Sequence, residues 1–188
     1  HAAHALLRQS DWESMAEELY RRDKQINAIE QQVREKVVTH LSVAGRGDLG
    51  GCMVLMNVVK DAERIGDYCK NIFEVGKFYR GEYTHPEYAR PLNDVRDAAG
   101  AAFDQTRDAF VNEDTDLARE VMSGAAVHTR TCDLIARQLL SQHGQLAADE
   151  AVAYVLVARF YKRVYAHLAN IATSVVSPVS MLDYRQDI

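Results

Sequence analysis

From Asp11 to Val43 the chain contains neither glycine nor proline. Apolar residues recur through it at Met15, Leu19, Ile26, Ile29, Val33, Val37 and Leu41, at steps of three, four and seven. A helix turns once every 3.6 residues, so this spacing lines one face of a long amphipathic helix, with Arg, Lys, Glu and Gln on the other positions. Ser10 and Asp11 supply an N-cap, with Glu13 in the first turn. No strand with alternating polarity fits such a pattern.

The same grammar runs through the rest. Gly45, Gly47, Gly50 and Gly51, with Asp48 as a cap, separate this helix from a second spanning about Leu49 to Tyr79. Gly81, Pro86 and Pro91 mark a linker over residues 81–91. Further helices are predicted over Asn93 to Asn112, from the Asp114-Thr115-Asp116 cap to Gln142, and over Ala147 to Val176, where Pro178 stops the helix. Residues 1–9 read as the tail of a truncated first helix, since the chain opens at His1 without a Met. The expectation is an all-α protein of six helices forming two tandem antiparallel three-helix bundles. The repeats span residues 1–85 and 86–188. Asn71-Ile72 and Asn170-Ile171 occupy matching places in the two sets, as do Arg64-Ile65 and Arg163-Val164.

Composition narrows the partners. A net charge of −5 argues against a nucleic-acid binder, which needs a basic face for phosphates. The three cysteines, Cys52, Cys69 and Cys132, are odd in number and far apart, which fits free thiols in a reducing compartment. No signal peptide opens the chain, and the uncharged stretch over 168–182 is too short and polar to span a bilayer. The single tryptophan, Trp12, is expected to anchor the start of its helix. Tyr154, Tyr161 and Tyr165 are expected in the core or an interface, and His85, in the linker, is expected to be exposed. Gly-rich phosphate loops and short-range nucleophile–base pairs are missing from the sequence.

One helix carries candidate chemistry. Glu63, Asp67 and Asn71 lie four apart, on one stripe. Asp23, Asn27 and Glu30 form a second stripe on the preceding helix. Facing each other antiparallel, the two would gather four carboxylates, a donor set suited to Mg, Mn, Fe or Zn. Gly66, beside the stripe, would let another helix approach closely. The same spacing also suits a solvated face of ion pairs: Lys60 precedes Glu63 by three residues, and Arg64 precedes Asp67 by three. A second candidate set is His128, Cys132 and His167, whose N and S atoms suit zinc. Against it stands the common use of Cys and His as packed core residues. A ferritin-like metalloenzyme would carry Glu-x-x-His on each of two helices, and no helix expected here has one.

Asp61-Ala62-Glu63-Arg64-Ile65-Gly66-Asp67 followed by Asn71-Ile72 resembles the signature of the PhoU family of phosphate-uptake regulators, with its E/D-x-x-x-D element at Glu63 and Asp67. The stretch from Arg22 to Glu30 is similar to that family's acidic helix. The resemblance implies a cytoplasmic, all-α, non-enzymatic accessory protein built of two three-helix repeats. It implies contact with a phosphate transporter component and a sensor kinase, a homodimer, at most a peripheral place at the membrane, and a metal ion on the acidic surface. PhoU-like domains also occur fused to sodium–phosphate cotransporters, and a metal-free helical interaction domain is a further alternative. The second repeat departs from the pattern. Aligned on Asn170-Ile171, Lys162 stands in the place of Glu63, Tyr165 in that of Gly66 and Ala166 in that of Asp67. Neither an ammonium nor a methyl group can ligate a cation, so the second site is expected to be lost or rebuilt.

Overall fold

A computed structural model describes residues 9–44, 48–141 and 146–177. The described residues form five helices: α1 (Gln9–Ala44), α2 (Leu49–Phe78), α3 (Pro86–Val111), α4 (Thr115–Ser141) and α5 (Ala148–Val176). The all-α expectation holds. The count is five rather than six, and the residues assigned to the truncated first helix lie, except Gln9, outside the described residues. Helices α3, α4 and α5 each pack on the other two and make one three-helix bundle. Helix α1 pairs with α2, and α2 lies against α5.

The main departure from the sequence reading is the start of α3. The expected linker over 81–91 ends early, because the helix begins at Pro86 rather than Asn93. Proline fits the first helical position, where its missing N–H would have no intrahelical partner anyway. The His85 carbonyl accepts the first bonds, from Tyr88 N at 3.1 Å and Ala89 N at 2.9 Å. Pro91 removes only the bond to Glu87, an exposed residue. What favours the extra turns is burial: Tyr88 is 0% and Leu92 5% exposed. His85 is also not exposed as expected. It is half-buried, stacks on Tyr88 at 4.7 Å, and its amide donates to the Tyr154 hydroxyl.

Between α3 and α4 the chain turns in three residues. Glu113 takes the left-handed conformation (φ 54°), and Asp114 N–H reaches back to the Ala109 carbonyl, closing a Schellman turn. Asp114 then caps α4 as expected, its Oδ1 accepting from Asp116 N and Leu117 N.

The core is centred on α5. Tyr154, Ala158, Tyr165, Leu168 and Ala172 are essentially inaccessible. The first four meet Tyr88, Leu92 and Val95 of α3, Ala125, Cys132 and Ile135 of α4, and Ile65 of α2, while Ala172 packs with Ala109, Ala118 and Val121. A helix touching three others has a narrow polar face, which accounts for Ala153, Tyr154, Val157 and Ala158, whereas Val152 and Leu156 in the same apolar run are exposed. The tyrosines expected in the core are there: Tyr165 donates to the Val95 carbonyl at 2.8 Å, and Tyr161 packs against the cluster. Trp12 is buried as expected, against Phe73 at 5.3 Å with the Arg80 guanidinium over its ring.

Candidate functional site

The pairing of α1 with α2 is antiparallel and its register is fixed by side chains. Tyr20 Oη donates to Glu74 at 2.9 Å. Lys70 Nζ donates to Asp23 Oδ1 at 3.1 Å and to Asp67 Oδ1 at 3.0 Å. Ile26 sits over Gly66, where an added Cβ would come within 3.2 Å of the Ile26 Cδ1. Gly66 therefore does permit a close helix approach. The same register sets Glu30 beside Glu63, which feel each other's charge.

The predicted stripes thus meet. Asp23 and Asp67, from two helices, converge on one cation, and that cation is the chain's own Lys70. Burial lowers the tendency of Lys70 to hold its charge, but Asp67 and Asp23 outweigh it and its pKa lies above the ordinary value. Glu63 is raised, first by burial and then by the charge of Asp67, against the lowering effect of Arg64. Further cations thread the cleft: Arg34 pairs with Glu30 at 2.6 Å, and Arg64 lies 3.5 Å from both Glu63 and Asp67. Asn27 is half-buried on α1 between Asp23 and Glu30. Asn71 lines a different cleft, between α2 and α5. As placed, no three His, Cys, Asp or Glu side chains among the described residues are grouped to hold a metal ion.

The residues of the second candidate set have separate surroundings. His128 stacks on Tyr165 at 4.7 Å, and burial lowers its pKa. Cys132 is 1% exposed, and burial pushes its thiol up to about 12, far from a metal-ready thiolate. His167 faces α2, where its Nδ1 donates to Asp61 Oδ1 at 2.7 Å.

The Asp61–His167 pair was not singled out by sequence reasoning. Both are nearly inaccessible, at 2% and 6% exposure. Asn170 Nδ2 lies 3.5 Å from the same Asp61 oxygen. Tyr68 stacks on the His167 ring at 5.7 Å, and Arg163 bonds the Tyr68 hydroxyl at 3.2 Å. Asp61 opens the signature string and His167 follows the altered motif of the other half, but 106 residues separate them. No local periodicity signals a bond at that distance.

The altered positions have defined roles. Lys162, in the place of Glu63, pairs with Asp133 of α4 at 2.6 Å. Tyr165, in the place of Gly66, fills the core, and Ala166, in that of Asp67, is 5% exposed. An ion pair and a buried methyl group stand where the first half has its two acids, and a packed ring stands where it has glycine.

No helix of the described residues is long and apolar enough to cross a membrane. Residues 1–75 and 92–175 match the PhoU domain. The chain is 26% identical over 168 residues to the phosphate-specific transport system accessory protein PhoU homolog 1 of Thermotoga maritima. That alignment covers 87% of this chain and 72% of the relative. The match takes in both the acidic α1–α2 pair and most of the α3–α5 bundle, and the chain belongs to the PhoU domain family.

Proposed function

We propose that the chain is an accessory regulator of phosphate transport that acts by binding rather than by catalysis. The observation that carries this is the extent of the family match, over both parts of the fold, together with a relative named as a transport-system accessory protein. On this reading the matched segments are two PhoU repeats, divided near residue 85. The chain works in the cytoplasm against a phosphate transporter component, with a sensor kinase and a second copy of itself as further contacts.

Within that role the α1–α2 cleft is proposed as the metal site. Its donors are oxygens, which suit Mg, Mn or Fe better than zinc. Asp23, Glu30, Glu63 and Asp67 would hold the ion, which would offset the repulsion of Glu63 by Asp67 and Glu30. The bracketing of Lys70 by two carboxylates supports a cation-binding arrangement, and it also requires Lys70 to swing out before a metal enters. The same bracketing favours a second reading, in which the ammonium is the permanent cation and the domain works without metal.

The test has two arms. In phosphate-rich medium, cells lacking the chain should take up phosphate faster than cells carrying it; unchanged uptake would overturn the regulatory role. Elemental analysis of purified protein should find metal in the wild type, more in Lys70→Ala, and none in Glu63→Gln with Asp67→Asn. Metal content unaffected by the double substitution would remove the site assignment.

A further inference from the structure

Helices α2 and α5 run antiparallel, since Asp61 meets His167 and Tyr68 meets Phe160. One face of their seam collects cations. Lys60 and Arg64 lie one turn apart on α2, and Arg159 and Arg163 one turn apart on α5. The register puts Arg64 and Arg163 at nearly the same level. They share one side of the seam: the Arg163 guanidinium lies 5.6 Å from the centre of the Tyr68 ring, and Tyr68 follows Arg64 on the same stripe. Arg64, Arg159 and Arg163 are exposed, and Tyr68 and Phe160 lie half-buried between the two rows.

These cations are short of acids. Beyond Glu150, α5 carries no Asp or Glu as far as Val176. Arg163 bonds the Tyr68 hydroxyl at 3.2 Å and lies 3.5 Å from His167 Nε2. Neither it nor Arg159 meets a carboxylate among the described residues. Arg64 has loose contacts, at 3.5 Å, to Glu63 and Asp67, and pairs this exposed contribute little. Asp67 is also held by Lys70 at 3.0 Å, and buried Asp61 is bonded to His167. In a chain of net charge −5, arginines without acids of their own suit the acids of another molecule.

The chain's own bundle packing lies on the opposite side. In the second half, α3 covers α5 at Tyr154 and Tyr165. At about 100° per residue, Arg163 lies about 160° round the helix from Tyr165. The matching residue of α2 is Gly66, and Arg64 stands about 160° from it in the same way. A helix seated in the first half as α3 is in the second would cover Gly66 and leave Arg64 open.

We propose that this face docks an acidic helix of a partner protein, laid along the seam between the two rows. Acids four residues apart on such a helix stand about 6 Å from each other, the spacing within each cationic row. Each arginine can take a carboxylate through two parallel hydrogen bonds, and Tyr68 and Phe160 floor the contact. An anionic membrane fits less well, because the chain as a whole is negative and would be repelled. The inference does not depend on the metal-site reading, since Arg159 and Arg163 lie outside the α1–α2 cleft.

The test uses two synthetic helical peptides, one with Glu at positions four apart and the other with Lys in their place. Their binding to the whole chain is followed by fluorescence anisotropy at low and high salt. The acidic peptide should bind at least about tenfold more tightly, with the preference shrinking at high salt. Arg159→Glu alone should weaken it, and Arg64→Glu with Arg159→Glu should reverse the preference. Both positions are exposed, so circular dichroism should show the fold intact. Glu63→Gln with Asp67→Asn should bind the acidic peptide at least as tightly as the wild type, so a failure of the metal site is told apart from a failure of this face. Equal binding of the two peptides, or none, would overturn the proposal, as would acidic-peptide binding that ignores Arg159→Glu. So would sedimentation with phosphatidylglycerol vesicles that the double substitution abolishes while neither peptide binds, which would assign the face to a membrane.

Discussion

Glu63 illustrates how one side chain records the electrostatics of the acidic cleft. Its pKa is raised in the folded chain, by burial and by Asp67. The folded state therefore holds this proton more tightly than the unfolded chain does. As pH rises through the ordinary value of 4.5, ionising Glu63 costs the native state stability. Glu63→Gln cannot ionise, so it should stabilise the metal-free protein at pH 7, and the gain should vanish below pH 4.5. Urea unfolding at the two pH values checks this; a gain that grows on acidification would mean that Glu63 is not repelled by its neighbours. The acids themselves were legible in the sequence, because helical spacing alone aligns Asp23 with Glu30 and Glu63 with Asp67. The role of Lys70 was not. The spacing did not single it out, and only the approach of α1 shows that it reaches Asp23 as well as Asp67.

At the scale of elements, the long helices could be read from periodicity, and four of the five both begin and end within a few residues of the expected places. The exception, α3, was misjudged because two prolines and a glycine were taken as a linker, whereas the first turns of a helix accept proline. Buried Tyr88 and Leu92 then decide the matter through tertiary packing, which a local pattern does not contain. The stripe on α1 is a different kind of mismatch. Its spacing is helical as expected, yet Met15 is 46% and Ile29 57% exposed, because α1 packs extensively only on α2 among the described helices. On α5, the departure from the repeat pattern at Tyr165 has become part of the core. Tyr165→Gly, restoring the residue type found at position 66, should destabilise the chain by about 4 kcal/mol through the cavity it leaves. Tyr165→Phe should cost about 1 kcal/mol, for the bond to the Val95 carbonyl. Thermal unfolding of both variants separates the volume from the hydroxyl.

For the whole molecule, the Asp61–His167 bond is a buried polar tie between the α1–α2 pair and the bundle. A buried pair is costly to break because the surviving partner keeps its desolvation penalty. Asp61→Ala should therefore cost about 3 kcal/mol, while Asp61→Asn, which keeps an acceptor for the His167 N–H, should cost much less. Chemical denaturation will show whether the two differ; equal losses would mean that His167 requires the carboxylate charge and that a neutral acceptor does not replace it. The placement of α5 has a consequence for how the chain is made. The helix on which α2, α3 and α4 all lean is the last of the five in sequence, so a ribosome completes the apolar faces of the others before their common partner exists. The nascent chain must carry that uncovered surface until α5 emerges, and a product cut short before Ala148 would hold it permanently, as a substrate for chaperones and proteases rather than as a smaller working protein.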